Sequence, residues 1–246
     1  MAKKLRLDNL MVERGLAESR SKAQALIMGG QVVVGDHAVT KAGTQVAPDA
    51  ELRLKGEVNP YVSRGGLKLE GALRGFVYDP TGLICVDIGA STGGFTDCLL
   101  KHGAAKVYAV DVGYGQLAWQ LRDDPRVVNI ERQNVRHMTW ETLGELADLA
   151  VIDASFISLE LVLPHVIGLL KEKGEIIALV KPQFEVDKGE VGKGGVVRDP
   201  LLRKKALEKV CENARLSGLK VIGEMESPIT GAKKGNVEFL LYLKRD

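Results

Sequence analysis

The sequence predicts an α/β protein in which a small α+β domain precedes a doubly wound, mostly parallel sheet. From residue 83 onward, apolar runs of strand length alternate with helical stretches, which is the pattern of parallel strands joined by crossover helices. A glycine-rich turn follows the first of these runs, and the residues before 59 carry a different pattern. With 246 residues, 45% of them hydrophobic, the chain is long enough for one large core and one small core.

The N-terminal pattern indicates two helices followed by a hairpin. Helical periodicity covers 5–12 and 19–27, and two short strands lie within 31–39 around a Gly35-Asp36 turn. Four basic side chains could form one face that holds the phosphates of folded RNA, although a solvated helix face is the alternative. These side chains are Arg6, Arg14, Arg20 and Lys22.

A linker and a leading helix separate the two patterns. Glycine, charge and proline interrupt the periodicity over 56–60, and an extended segment from Tyr61 then enters a helix that carries Lys68. A lone helical lysine is most often solvated, so Lys68 gains interest only through its companions. The predicted boundaries are 1–58 for the N-terminal domain, 59–82 for the linker and leading helix, and 83–246 for the main domain.

The main domain is predicted to contain seven strands. A helix from about 200 to 217 separates the first five strands from the last two, which are joined by a short connection. We therefore expect the last strand to be antiparallel to its neighbour. The predicted strands are 83–88, 106–111, 127–131, 148–153, 175–181, 219–226 and 236–243.

The stretch from Asp87 to Asp97 is predicted to bind a nucleotide-like ligand. Its glycines let the backbone approach a ligand, and the amides at the start of the next helix attract negative charge. Ser91 breaks the dinucleotide pattern G-x-G-x-x-G, and Asp111 ends the next strand, where a carboxylate takes ribose hydroxyls. These features favour S-adenosylmethionine, with a plain tight turn as the alternative. The predicted cofactor residues are Asp87, Gly89, Ser91, Thr92, Gly93, Gly94, Phe95, Asp111 and Asn134, for the last of which an ordinary turn asparagine is an equal alternative.

Polar side chains stand at the ends of buried strands further along the chain. Asp153 ends one apolar run and Lys181 follows another, so both fall at the edge where ligands bind in such sheets. A lysine directly after five apolar residues is costly to bury unless it is paired, and Asp153 is the expected partner. Glu238 interrupts the last strand, where simple alternation toward water is the other interpretation.

Residues 185–198 contain four glycines and charges of both signs, which favours a mobile lid with too little apolar surface to pack. The segment is not a phosphate P-loop, because Lys193 is followed by glycine rather than by Ser or Thr. Two of its lysines and one arginine before the leading helix complete the predicted RNA-binding set. These residues are Lys188, Lys193 and Arg64.

Composition argues against several other classes. The formal net charge is +2, and its small excess lies in 1–58, which holds nine Lys and Arg against seven Asp and Glu. The three cysteines lack C-x-x-C spacing, so we expect a reduced, cytoplasmic protein without a metal site. A membrane span needs roughly 20 apolar residues, whereas the apolar run 161–170 is already interrupted by proline and histidine.

The N-terminal domain resembles the S4 RNA-binding domain. The resemblance rests on the pattern Ser-Arg-x-x-Ala-x-x-Leu-Ile-x-x-Gly-x-Val-x-Val, which begins at Ser19, and it spans nearly all of residues 5–58. The resemblance implies that this domain binds RNA.

The main domain resembles the FtsJ-like RNA 2′-O-methyltransferases, whose Lys-Asp-Lys-Glu tetrad it matches. The matching residues are Lys68, Asp153, Lys181 and Glu238. With the S4-like domain and the motifs around these residues, the whole chain is similar to the hemolysin A (TlyA) family. The resemblance implies a Rossmann-like class I methyltransferase fold with a mostly parallel seven-stranded sheet. It also implies methylation of a cytidine ribose in ribosomal RNA, with S-adenosylmethionine as donor and no metal.

The residue types of the tetrad suit this chemistry. A ribose hydroxyl is a poor nucleophile near neutral pH, so a nearby base must take its proton. Lysine does this only as the neutral amine, which burial and a second lysine favour and a carboxylate opposes. We expect Lys181 to be the base or the group that orients the target hydroxyl, and Asp153 to orient Lys181. We expect Lys68 to tune the base and hold ribose or phosphate, and Glu238 to position Lys68 or the target hydroxyl.

The expected partner is ribosomal RNA or a ribosomal subunit, with no membrane and with the chain acting as a monomer. Three competing functions stay open. A membrane-active hemolysin is implied by the family's historical name but needs a long apolar or strongly amphipathic segment. A non-catalytic ribosome-assembly factor would retain RNA and cofactor affinity, and a small-molecule methyltransferase would share the fold.

Overall fold

The structure, a computed structural model, describes residues 4–35, 37–55, 59–231 and 235–245. The chain divides into two units, residues 1–60 and 61–246, and each unit has its own buried apolar core. Two features expected from the sequence involve residues outside the described ones: Asp36 of the hairpin turn and 56–58 of the linker. The two units are described separately below.

The first unit has the S4-like architecture that the sequence predicts. Helices α1 and α2 share a core with short strands, and Ser19 caps α2 by accepting a hydrogen bond from the Lys22 backbone N at 3.2 Å. The predicted hairpin forms as the antiparallel pair β2 and β3. The elements are β1 (Leu5–Arg6), α1 (Leu7–Glu13), α2 (Arg20–Met28), β2 (Val32–Val34), β3 (His37–Val39), β4 (Gln45–Val46) and β5 (Leu52–Leu54).

Three of these strands were not predicted. Strand β5 pairs with β2 to give a three-stranded sheet, and β1 pairs with β4 in a separate ladder. Runs of two or three residues are too short to show the alternation that identifies a strand, and these three lack the tight glycine turn that marked the hairpin, so tertiary pairing alone defines them.

The second unit is built on a seven-stranded sheet within the described residues, as predicted. The strand order is β11-β12-β10-β9-β6-β7-β8, with β8, β7, β6, β9 and β10 parallel and β12 antiparallel to both of its neighbours. The strands are β6 (Ile84–Ile88), β7 (Lys106–Val110), β8 (Val127–Ile130), β9 (Ala147–Ile152), β10 (Leu170–Val180), β11 (Leu219–Glu226) and β12 (Phe239–Arg245).

Helices cover both faces of this sheet, as in other doubly wound proteins. One core cluster contains residues of α3, α4 and α5, and the other contains residues of α6, α7 and α9. Side chains alternate between the two along β6, where Val86 and Ile88 join one cluster and Cys85 joins the other. The helices are α3 (Gly65–Gly75), α4 (Gly94–Lys101), α5 (Trp119–Arg122), α6 (Trp140–Leu143), α7 (Leu163–Ile167), α8 (Pro182–Glu185) and α9 (Pro200–Leu216).

Strands β10 and β12 differ from the prediction at their starts. Strand β10 begins at Leu170, five residues early, with a register irregularity against β9 before Glu175. Strand β12 begins at Phe239, so Glu238 precedes the strand instead of lying on it. The reason is that this stretch bonds to loops: the Glu238 carbonyl accepts from Ser227 N at 2.9 Å, and the Asn236 side chain bonds to the backbone of two loop residues. Among the described residues, no helix has the length and apolar character that a membrane crossing requires.

Candidate active site

A cavity of about 1220 Å³ lies at the carboxyl ends of β6, β7, β9 and β10. Ligands of doubly wound sheets bind at this edge, and the volume exceeds the roughly 300–1,000 Å³ of an ordinary small-molecule pocket. It can therefore hold a cofactor and part of a second substrate. The predicted catalytic and cofactor residues that line it are Lys68, Gly89, Ser91, Thr92, Gly94, Phe95, Asp111, Asn134, Asp153, Lys181 and Glu238.

The turn between β6 and α4 forms one wall of the cavity. Gly89 has a φ of +85°, and a Cβ there would come within 2.9 Å of the Asp153 carbonyl oxygen. Gly93 has a φ of +96°, and a Cβ there would come within 2.3 Å of Leu121 Cδ1. Glycine at both positions therefore lets the turn lie close to its neighbours. Helix α4 begins at Gly94 beside the cavity, where its amides favour negative charge.

Asp111 holds this turn from the end of β7. Its Oδ2 accepts a hydrogen bond from Ser91 N at 2.8 Å, and its Oδ1 accepts one from Gly113 N at 2.6 Å. Asn134, after β8, accepts from Arg136 N at 3.0 Å. A carboxylate or amide oxygen can accept more than one donor, so both side chains keep capacity for a ligand. Their contacts with ribose and adenine stay predictions.

Asp87 does not reach the cavity, contrary to its prediction as a cofactor residue. Its side chain is fully buried, and its Oδ2 accepts from Thr96 N at 3.0 Å and from Thr96 Oγ1 at 2.7 Å. Burial raises the pKa of this carboxyl to about 7. Asp87 therefore links β6 to the start of α4 on the side of the turn that faces away from the cavity. Gly93 is likewise buried off the cavity, against Leu121.

Two buried lysine–carboxylate ion pairs face the cavity. Lys68 Nζ on α3 lies 2.6 Å from Glu238 Oε2. Lys181 Nζ, directly after β10, lies 2.5 Å from Asp153 Oδ1, as an ion pair rather than an aligned hydrogen bond. The structure thus brings together both pairs that the sequence suggested, whereas the catalytic role of each residue stays a prediction. Among the described residues, no group of three or more His, Cys, Asp and Glu side chains is placed to hold a metal ion.

Ser155 contacts the same amine and was missed by sequence reasoning. Lys181 Nζ donates to Ser155 Oγ at 2.8 Å and lies 3.4 Å from the Asp153 carbonyl oxygen. Three oxygens therefore surround the amine, and Ser155 is the solvent-exposed one. Its position two residues after the strand-end aspartate was the available signal.

Close helix packing aims Lys68 at the site. A Cβ on Gly94 would come within 2.3 Å of Ser63 Oγ, so only glycine lets the start of α4 approach the segment before α3. That segment is fixed because Val62 N donates to Asp97 Oδ2 at 2.8 Å. A Cβ on Gly65 would lie 3.8 Å from Asp153 Oδ2, so the first turn of α3 adjoins the second ion pair.

Phe156 is an exposed aromatic residue at the cavity. Its side chain is 90% exposed, its φ is +65°, and its ring centroid lies 5.2 Å from that of Phe184. A bulky residue with positive φ is strained, and such strain is found preferentially at functional sites. The sequence placed Phe156 in a motif but gave no reason to assign it a role.

The segment 185–198 packs more than its composition suggested. Val196 and Val197 are buried, and the Asn236 side chain accepts from Val197 N at 3.1 Å and donates to the Gly195 carbonyl at 2.9 Å. The expectation of too little apolar surface to pack was therefore wrong for the end of this segment. The two lysines of this segment that were predicted to bind RNA, Lys188 and Lys193, are exposed and do not line the cavity. Arg64, predicted for the same role, precedes α3 and does line the cavity.

The predicted RNA-binding residues of the first unit are arranged in two ways. Arg6 and Arg20 both bond to the buried carboxylate of Asp8. Arg14 instead donates to the carbonyl oxygens of residues 48 and 50, and Lys22 lies half-buried on α2. Of the four basic side chains expected to form one face, only Arg6 and Arg20 thus share a partner, and RNA binding by all four stays a prediction.

The fold and the site define a class I methyltransferase. Residues 61–245 match the FtsJ-like methyltransferase family, and residues 5–52 match the S4 domain. The chain belongs to the FtsJ-like methyltransferases, and within them to the S4-containing hemolysin A (TlyA) family.

Relatives cover nearly the whole chain. The 16S/23S rRNA (cytidine-2′-O)-methyltransferase TlyA of Mycobacterium tuberculosis is 48% identical over 99% of this chain and 91% of its own length. Hemolysin A of Brachyspira hyodysenteriae is 44% identical over 97% of this chain and 99% of its own. A solved structure from Streptococcus thermophilus, which carries a provisional hemolysin name, has a TM-score of 0.78 and 45% identity, covering 100% of this chain and 90% of that one.

The buried Asp87 should make stability depend on pH. Its folded-state pKa of about 7 lies above the value of an exposed aspartate, so the unfolded chain loses this proton first as pH rises. The free energy of unfolding should therefore fall between about pH 4 and pH 7 by roughly 3 to 4 kcal/mol through this group, and then level off. Asp87→Asn should remove this decrease, which urea unfolding at pH 5 and pH 8 would measure. The exposed Asp123→Asn is the matched control, and equal pH dependence in wild type and Asp87→Asn would contradict the account.

Proposed function

We propose that this protein transfers a methyl group from S-adenosylmethionine to the ribose 2′-hydroxyl of a cytidine in ribosomal RNA. The observation that carries the proposal is the two buried lysine–carboxylate pairs beside the glycine turn. A relative named for this reaction at 48% identity and the S4 match support it. Ribosomal RNA or a ribosomal subunit is the proposed partner, which implies that the protein acts in the cytoplasm.

The residues of the cavity fit S-adenosylmethionine. Asp111 would accept from the ribose hydroxyls of the cofactor, Asn134 would contact the adenine, and the turn at 89–94 would accommodate the remaining part. When bound, the cofactor supplies an electrophilic methyl group. The contribution of the chain itself is to position the target hydroxyl and to accept its proton.

Lys181 is the proposed base. A neutral amine has two N–H groups and one lone pair, and in the proposed base form the N–H groups would turn toward the carboxylate and the carbonyl oxygen of Asp153, which both lie near Nζ. The lone pair then points toward Ser155 Oγ, whose 2.8 Å separation from Nζ marks where a hydroxyl can hydrogen-bond to the amine. The target hydroxyl would take this side of the amine, and Asp153 would stabilise the ammonium formed after proton transfer.

Lys68 and Glu238 have the supporting role in this proposal. Lys68 brings a second positive charge to the cavity, which suits a ribose or phosphate of RNA. Glu238 fixes the direction of the Lys68 amine through the 2.6 Å pair, or accepts from the target hydroxyl. The backbone of Gly231 makes room for this carboxylate, since a Cβ there would come within 2.9 Å of Glu238 Oε1.

Phe156 is suited to the base of the target nucleotide. RNA is read at unpaired nucleotides by stacking of bases on aromatic side chains, and an enzyme acting on a paired nucleotide must first extrude it. The exposed Phe156 ring, backed by Phe184, offers such a surface beside Asp153. A pyrimidine stacked there would have its ribose near the tetrad.

The direct test is methyl transfer in vitro. The purified chain is incubated with ribosomal subunits and methyl-labelled S-adenosylmethionine, and the RNA is digested to nucleosides. The proposal predicts label in 2′-O-methylcytidine. Label on a base, or on small molecules but not RNA, would contradict it in favour of another methyltransferase. RNA binding without transfer would indicate an assembly factor.

Arginine at position 181 should be as harmful as alanine. A guanidinium keeps its proton, so Lys181→Arg retains the charge but loses the base. Single-turnover methyl transfer should fall by about 100- to 10,000-fold in both variants. S-adenosylmethionine affinity should be nearly unchanged.

The exposed Lys173→Arg is the matched control for this substitution and should retain the wild-type rate. If Lys181→Arg retained most of the rate across pH, the residue would act by charge alone and the proton would leave by another route.

A side chain at Gly93 should weaken cofactor binding. In Gly93→Ala the new Cβ would collide with the buried Leu117 and Leu121, so either these side chains or the turn must shift, and the positive φ adds backbone strain. We expect at least about a 10-fold loss of S-adenosylmethionine affinity by calorimetry, equivalent to about 1.4 kcal/mol.

Gly82→Ala separates this effect from backbone strain. Gly82 also has a positive φ, +75°, but a Cβ there meets no atom within 4 Å among the described residues. This control should bind the cofactor as the wild type does. Equal affinity in Gly93→Ala would remove the turn from the proposed cofactor site.

A further inference from the structure

Asp8 lies fully buried at the centre of the RNA-binding face proposed for the first unit. Its carboxylate accepts hydrogen bonds from four residues of α1, α2 and the strand before them. These are Arg6 (Nε, 3.0 Å, and Nη2, 2.8 Å), Arg20 (Nε, 3.1 Å), Gln24 (Nε2, 2.8 Å) and Asn9 (backbone N, 3.0 Å). Because RNA is negatively charged, the charge of an acidic side chain at this place would by itself weaken RNA binding.

The geometry of the two arginines indicates a different effect. Arg6 uses one edge of its guanidinium on Asp8, and Arg20 uses its Nε. Their side chains stay 40% and 55% exposed, while that of Asp8 is 0% exposed. Among the described residues, the terminal nitrogens of Arg20 bond to no protein acceptor. Both guanidiniums are thus held from behind and keep donors for a ligand.

The packing of α1 against α2 brings Asp8 and its partners together. Asp8 lies in the first turn of α1, while Arg20 and Gln24 stand one helical turn apart on α2. The bond from Arg6 and the neighbouring donors hold the pKa of Asp8 well below its ordinary value, so the carboxylate is charged near neutral pH. One negative charge thereby fixes two positive ones, and their rotamer freedom is restricted before any ligand arrives.

We propose that Asp8 is a positioning residue that holds Arg6 and Arg20 as a two-guanidinium clamp for RNA phosphates, so that this buried acid increases RNA affinity. Guanidiniums bind phosphate oxygens through paired N–H donors, which makes their orientation important. Side chains ordered beforehand lose less entropy on binding. The inference rests on the proposed RNA-binding role of the first unit.

The two explanations predict opposite changes in RNA affinity when Asp8 is replaced. Asp8→Asn removes one negative charge, so charge counting predicts tighter RNA binding, whereas positioning predicts about 10-fold weaker binding, equivalent to about 1.4 kcal/mol. Glu18→Gln is the matched control, because Glu18 is an exposed acid of the same unit and loses the same charge. It should bind as tightly as wild type or slightly more. The full chain and deproteinised ribosomal RNA are used at several salt concentrations, with thermal unfolding checked for each variant.

A double-mutant cycle separates this proposal from the proposed function. Arg6→Ala with Arg20→Ala should weaken RNA binding and flatten its log-log salt dependence, by about 1 unit for each phosphate that the arginines no longer bind. If it changes neither, the RNA role of the first unit fails. In the background that lacks Arg6 and Arg20, Asp8→Asn should have little further effect, since Asp8 acts through these two arginines.

If the double variant weakens binding but Asp8→Asn binds as tightly as Glu18→Gln, the positioning role is overturned. Should Asp8→Asn fail to fold, Arg20→Lys serves instead. It keeps the charge, but a lysine amine cannot bond to Asp8 and present a planar fork at once. Weaker RNA binding in the folded Arg20→Lys variant supports the clamp, and unchanged binding contradicts it.

Discussion

The burial of two lysines at one sheet edge is the constraint on which the methyltransferase unit depends. An isolated buried ammonium is unstable, and removing one partner of a buried pair typically costs about 3–5 kcal/mol. Lys181 and Lys68 are therefore tied to Asp153 and Glu238, which come from distant parts of the chain. Close backbone approaches at Gly94 and Gly231 make this convergence sterically feasible. The fold therefore brings together charged groups that are far apart in the sequence.

The two units use the same physical device in different ways. In the methyltransferase unit, carboxylates fix the direction of lysine amines beside a cavity, which suits proton transfer. In the S4 unit, one carboxylate fixes two guanidiniums that stay exposed, which suits binding of phosphates. Lysine can lose its proton whereas arginine keeps it. Lysine therefore suits the proposed proton transfer in the methyltransferase unit, and arginine suits the proposed phosphate binding in the S4 unit.

Much of the sheet and the pair of Lys181 with Asp153 were predictable because apolar runs locate strands and parallel strand ends share one edge, whereas Lys68 and Glu238 were added by the family resemblance. That reasoning correctly paired Lys181 with Asp153. It failed where tertiary contacts decide: Glu238 precedes its strand because neighbouring residues bond to loops, and Asp87, near the end of β6, faces Thr96 instead of the cavity. Ser155 carries no periodic signal, since only the three-dimensional path of the loop brings it to the amine.

The central claim is that this arrangement methylates a cytidine ribose in ribosomal RNA. Mass mapping of ribose methylation in ribosomal RNA from cells with and without this protein tests it most directly. The account predicts at least one 2′-O-methylcytidine that is lost without the protein, is restored by the wild-type chain, and stays absent when Lys181 is replaced by alanine. Identical methylation maps in all of these cells would contradict the account.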